Sequence, residues 1–233
     1  MAEAAIWWIL GQRYEPVISE TVGRRRRRES SPHEARQAVR QLSRVIDYLY
    51  TRPEVDKARI AFHGVSWGAY WGTKMSVVEH DRLRAVSVQS PPTDIFFTRD
   101  FLTNSLLGNR EYLFDQVPAL MAIFDGVDSV DDMAAVFEKM SLVKQGIPGK
   151  PTTPMLIIAG VKDTQVPISD VYELMNAGDV PKEAWINPAG GHLGRQVKVW
   201  PDPVIFRKVI IPWLVRNLDV PAPAAADAAA PKH

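Results

Sequence analysis

The sequence contains no cysteine. That excludes disulfides, thiol catalysis and thiolate metal sites, and it leaves the redox compartment open. A net charge is nearly missing too: 28 basic against 27 acidic residues leave +1 over 233 residues, so the chain has no general attraction to nucleic acid or anionic membranes. Long apolar runs are absent. The N-terminal "AAIWWIL" is far short of the roughly 18 residues of a membrane span, and Glu3 stands where a secretory leader would carry a cation. A cytoplasmic protein without membrane partners is the expectation. Histidine is scarce as well, with five residues and no i, i+4 pair or carboxylate cluster at ligand spacing, so no metal site is expected.

What remains, 46 % hydrophobic residues, suffices for one sizeable core. From Ser31 to Thr51 the apolar residues Ala35, Val39, Leu42, Val45, Ile46 and Leu49 recur at helical spacing. Ser31, Pro32 and Glu34 mark the start with a capping box. Four short apolar runs read as strands: "ARIAFHG" (58–64), "LRAVSVQS" (83–90), "TPMLIIAG" (153–160) and "EAWINPAG" (183–190). Helical patterns lie between and after them, at 68–79, at 168–177 closed by Gly178, and near 203–218, where Pro212 should kink the helix or mark its first turn. Strands alternating with helices predict an α/β domain, a mostly parallel sheet flanked by helices, over residues 31–220. Residues 92–150 break the rhythm and predict a helical cap inserted over one end of the sheet. Residues 1–30 form an irregular lead-in containing the run Arg24–Arg28, read as a solvated linker, with a nucleic-acid or acidic-partner patch as the less favoured use. The Ala/Pro-rich tail 221–233 is expected to be disordered.

The chemistry begins at Gly64-Val65-Ser66-Trp67-Gly68, a G-x-S-x-G sequence between a strand pattern and a helix pattern. In that context glycines allow a sharp strand-to-helix turn that exposes a serine hydroxyl. A serine needs a base, and the base needs an orienting carboxylate. His33 sits in a first helical turn, His233 in the tail, His63 inside a strand and His80 at a helix end. His192, in the glycine-rich "NPAGGHLGR", is the candidate base. Asp163, in "IIAGVKDTQVP", leaves the strand between nucleophile and histidine and is the candidate acid, with Asp94 in reserve. The Trp67 backbone N–H, at the helix start, is the candidate oxyanion donor. Phe96, Phe97, Phe101 and Tyr112 either bound an apolar substrate pocket or form the cap's own small core.

From about Val39 to Leu218 the chain resembles the C-terminal two-thirds of an α/β-hydrolase. "RPEVDKARIAFHGVSWGAY", "AGVKDTQVP" and "PAGGH" are similar to the nucleophile, acid and histidine segments of that superfamily. The resemblance is strongest to the branch of fermentation-respiration-switch esterases, dihydropseudooxynicotine hydrolase and fungal polyketide-shortening hydrolases; prolyl oligopeptidases and dienelactone hydrolases share similar segments. It implies a cofactor-free hydrolase acting on a small-molecule ester, an amide or an activated carbon–carbon bond. Such proteins place several strands before the nucleophile, whereas only 65 residues precede Ser66. "AAIWWIL" can supply one strand and no second is found. The loop that donates the other oxyanion N–H, usually an H-G-G-type stretch, is missing as well; loss of one donor costs on the order of 3 kcal/mol in the transition state. Two explanations stay open: a shortened front, as a truncated reading frame would give, or a partner chain or cap that supplies the missing parts. An uncovered sheet edge also invites pairing with another chain, as in a homodimer. A catalytically weak relative that binds a ligand is the alternative of another class.

Overall fold

The computed structural model describes residues 3–9, 32–108, 124, 127–150, 152–178 and 180–219. The Arg24–Arg28 run, Tyr112 and the tail from Pro221 lie outside the described residues, as do the side chains of the Ser31–Glu34 capping box. Among the described residues, five strands form one parallel sheet in chain order: β1 (Glu3–Ile9), β2 (Val55–Val65), β3 (Ala85–Gln89), β4 (Met155–Gly160) and β5 (Lys182–Asn187). The four predicted strands thus pair in sequence order. The N-terminal apolar run adds a fifth outside β2, so the lead-in is not irregular throughout.

Period-two alternation assigns the two faces. Ile60 and Phe62 of β2, Val86 and Val88 of β3 and Met155, Ile157 and Ala159 of β4 point to one side. There they meet Ile46 and Leu49 of α1 (Pro32–Thr51), Ala69 and Met75 of α2 (Trp67–Val78) and Val171 and Leu174 of the Ile168–Asn176 helix. Ala61, Ala85, Leu156 and Ile158 point to the other side, against Ile205, Ile210, Trp213 and Leu214 of the C-terminal helix. Gly178 takes φ 67 just past the Ile168–Asn176 helix, a left-handed turn that suits glycine. Pro212 falls in the first turn of Ile211–Asp219, one of the two places its sequence position allows. Helix Asp202–Ile205 runs through a widened π turn, Phe206–Ile210, into Ile211–Asp219. Proline has no N–H to offer the carbonyl one α-turn back, and a π turn places its bonds one residue further along.

The predicted insertion begins with a 3₁₀ turn, Ile95–Phe97, and helical turns at Arg99–Phe101 and Leu102–Leu106; α3 (Val130–Met140) follows, with Ser129 accepting the Asp132 N–H at 3.1 Å. Helix α4, Ile168–Asn176, follows β4. Tyr70, Phe96, Phe97 and Phe137 form the insertion's own core, with Phe96 and Phe97 packed in edge-on and stacked ring pairs.

Asp170, in the first turn of α4, ties the insertion to the sheet. Its buried carboxylate accepts backbone N–H bonds from Thr93 (2.8 Å), Ile95 (2.7 Å) and Phe96 (3.3 Å). Burial pushes its pKa up to about 6, against the pull of those N–H donors. A carboxyl raised above its unfolded value contributes stability that is present below about pH 4 and lost as pH rises through about 6. Asp170→Asn lacks that titration and also turns an amide NH₂ toward N–H donors. The variant should melt below the wild type, by a margin that narrows between pH 4 and pH 7. Thermal melts of both proteins across that range check this.

Candidate active site

The Ser66 turn is built by close backbone contact. A Cβ on Gly64 would lie 2.1 Å from the Gly68 carbonyl oxygen and 2.8 Å from the Ala69 nitrogen, so only glycine lets β2 meet the start of α2. Ser66 is held at φ 53 and ψ −116, a strained conformation for a residue with a side chain. Its N–H donates to the Gln89 carbonyl at 2.9 Å, which seats the turn on the end of β3. Gly64→Ala must therefore open the turn by moving backbone. We expect loss of folded protein, or a folded protein that melts well below the wild type, as read by circular dichroism and thermal melts.

Ser66 also starts α2. Ala69 and Tyr70 N–H donate to its carbonyl at 2.8 and 3.1 Å, so the Trp67 and Gly68 N–H groups precede the first bonded donors of the helix. The Trp67 ring turns into the insertion core, with its centroid 5.5 Å from that of Phe96.

Asp163 and His192 are brought together at the ends of β4 and β5. His192 Nδ1 lies 2.9 Å from Asp163 Oδ2 and 3.2 Å from Oδ1, and the two side chains are only 6 % and 2 % exposed. The histidine loop reaches this place because β4 ends in Gly160. A Cβ there would sit 2.2 Å from the Gly191 oxygen and 2.3 Å from the Gly190 oxygen. Asp163 Oδ1 accepts the N–H groups of Gln165 (2.8 Å) and Val166 (3.0 Å), and Oδ2 accepts the Ser90 hydroxyl at 2.8 Å. Burial alone would raise the carboxyl pKa, but the hydrogen bond and charge of His192, the Val166 N–H and the Ser90 hydroxyl together hold it below the usual range. With Nδ1 facing the carboxylate, Nε2 is the ring's remaining site, and it is buried with no hydrogen-bond partner among the described residues. Ser66 Oγ likewise caps nothing in its helix. The serine and the histidine stand at the same end of the sheet and do not hydrogen-bond to each other.

The other sequence candidates lie elsewhere. Asp94 accepts a short hydrogen bond from the Ser141 hydroxyl inside the insertion, whereas the carboxylate bonded to His192 is that of Asp163. His63 is buried on the far face of β2, with Nδ1 2.7 Å from Ser87 Oγ and its ring 5.7 Å from that of Phe206; burial lowers its pKa to about 4, so it stays neutral. His80 is exposed beside Asp81. Phe96 and Phe97 are spent on the insertion core, whereas Phe101 is half-buried and lines an open cleft of about 550 Å³ with Asn104, Ser105, Asp163, Thr164 and Pro167.

Two residues at this site escaped the sequence reading. Ser90 bonds both the acid and the histidine loop, and Gln89 donates to the Leu193 carbonyl at 3.1 Å. The one available signal was position, since polar residues at the carboxyl end of a parallel strand sit where α/β sheets bind ligands.

A family model described as the prolyl oligopeptidase family matches residues 15–202. No curated protein sequence matches the chain. Among solved structures, the chain is similar to 2,6-dihydroxy-pseudo-oxynicotine hydrolase, with 19 % identity and a TM-score of 0.59 over 78 % of this chain and 46 % of that one. It is similar to an acetyl xylan esterase from Paenibacillus sp. R4 (17 % identity, TM-score 0.56, 77 % of this chain and 52 % of that one). It also resembles an acylaminoacyl peptidase from Pyrococcus horikoshii (17 % identity, TM-score 0.50, 74 % and 26 %). The chain thus spans about half or less of the length of these proteins. At such identities the likeness establishes the α/β-hydrolase fold, and the family match is independent of it. The chain belongs to the prolyl oligopeptidase family of the α/β-hydrolase superfamily.

Proposed function

We propose that the chain is a serine hydrolase that cleaves small apolar or aromatic esters through Ser66, His192 and Asp163. The observation that carries this is the buried Asp163–His192 pair, whose unpartnered Nε2 lies at the same sheet end as the strained Ser66 turn. Ser66 Oγ attacks the acyl carbon while His192 Nε2 takes its proton. Asp163 fixes the Nδ1–H tautomer and stabilises the imidazolium. The Trp67 N–H receives the oxyanion. Collapse of the tetrahedral intermediate expels the alcohol, which takes the proton from Nε2. Water then repeats the sequence on the acyl-enzyme and frees Ser66. Serine and histidine approach within hydrogen-bond reach when substrate seats, as catalytic contacts often tighten only in the Michaelis complex.

A peptidase of the same fold is the variant that the family match favours. The unmade Ser66–His192 bond and the single identified oxyanion donor favour a different reading, a relative that binds ligand without turnover. Hydrolysis of p-nitrophenyl acetate, butyrate and benzoate, compared with aminoacyl p-nitroanilides, separates these. Ester turnover with a pre-steady-state burst of p-nitrophenol supports the proposal. Faster anilide cleavage shifts it to a peptidase, and no turnover of either set by folded protein sinks it.

A further inference from the structure

β3 lies between the strand that carries the Ser66 turn and the strand that leads to Asp163; it ends in Gln89, and Ser90 follows directly. Ser90 has an unusual backbone. It is 1 % exposed and takes φ 48, although it precedes Pro91, a position that favours extended backbone. Its N–H is fixed to the Ile158 carbonyl of β4 at 2.8 Å. This conformation aims the hydroxyl at the site. Oγ gives its single proton to Asp163 Oδ2 at 2.8 Å and accepts the Leu193 N–H at 2.9 Å, while Gln89 Nε2 holds the Leu193 carbonyl at 3.1 Å. Both polar groups of the residue that follows His192 are therefore held by β3. Leu193 is itself left-handed, at φ 65, and this loop geometry needs such external bonds to persist.

We propose that Ser90 is a positioning residue: its hydroxyl fixes the Asp163 carboxylate and the His192 loop relative to each other, so that Nε2 faces the nucleophile turn. This rests on the reading of Ser66, His192 and Asp163 as one catalytic unit. Without the hydroxyl, Oδ2 keeps only the His192 bond and the buried Leu193 N–H is left without an acceptor, so the imidazole loses one of its restraints, while the Gln165 and Val166 bonds to Oδ1 and the Gln89 bond to Leu193 remain.

Two variants separate the hydroxyl from the backbone. Ser90→Ala removes the hydroxyl and keeps the left-handed strain; Ser90→Gly removes the hydroxyl and relieves it. In both, kcat for p-nitrophenyl acetate should fall on the order of tenfold to a hundredfold, the usual cost of removing a partner that orients a reacting group, with KM within about twofold. Ser90→Gly should melt no lower than Ser90→Ala. A second readout is independent of turnover. The downfield proton resonance of His192 Nδ1–H, assigned by its loss in His192→Ala, should broaden or vanish in both variants. Wild-type kcat in Ser90→Gly, or an unchanged resonance in both variants, overturns the proposal. A resonance that the variants lose, in a wild-type protein that hydrolyses nothing, upholds the positioning role and refutes the hydrolase reading instead.

Discussion

Ser66→Ala should lower the hydrolysis of short acyl esters by at least about 10⁴-fold while leaving the fold intact. The hydroxyl caps nothing in its helix, so its removal orphans no buried group. The strain at φ 53 is imposed by Gly64 packing on Gly68 and by the Ser66 N–H bond to Gln89, both of which alanine keeps. His192→Ala removes the proposed proton acceptor of that serine and should cost a similar factor. Because the two act in one step, the double variant should lose little more than either single one. Additive losses would mean that the two residues act separately. Steady-state kinetics on p-nitrophenyl butyrate, with circular dichroism to verify folding, reads all three variants.

Asp163→Asn is expected to cost about 10⁴-fold in kcat with little change in KM. Oδ1 accepts two backbone N–H bonds, from Gln165 and Val166, so the single amide oxygen of asparagine settles there. The NH₂ then occupies the place of Oδ2 and faces His192 Nδ1 and the Ser90 hydroxyl. Nδ1 must become the acceptor, the proton moves to Nε2, and the base can no longer take the proton of Ser66. The same substitution has a pH signature in stability. A carboxyl held below its unfolded value contributes stability that is present above about pH 4 and lost as pH falls through its lower native value. The melting-temperature gap between wild type and Asp163→Asn should therefore close on acidification below about pH 4. Asp170→Asn runs the other way, its gap being widest in acid.

What could be read from the chain was whatever depends on near neighbours. Period-two apolar runs located β2 to β5, and Gly64-Val65-Ser66-Trp67-Gly68 located the strained turn, because both arise within a dozen residues. Asp163 and His192 were legible through their strand-end positions and the scarcity of histidine. Ser90 and Asp170 were not legible. Ser90 acts on a carboxylate 73 residues away and Asp170 on an N–H group 77 residues away, and neither stretch carries a local mark of it. In "SVQSPPTD" the prolines even point away from the left-handed backbone that Ser90 adopts. Phe96 and Phe97 show the opposite limit: an aromatic cluster reads alike as pocket wall or as core, and only the packing against Tyr70 and Phe137 distinguishes them. Asp94 had a plausible strand-end position but was drawn into the insertion by Ser141.

The central claim is that Ser66 is an activated nucleophile, and covalent capture tests it most directly. Purified protein would be treated with a fluorophosphonate, digested and mapped by mass spectrometry. One adduct on Ser66, absent in His192→Ala, is the predicted result. No adduct on folded wild-type protein, or an adduct on Ser66 that forms equally well without His192, would contradict it.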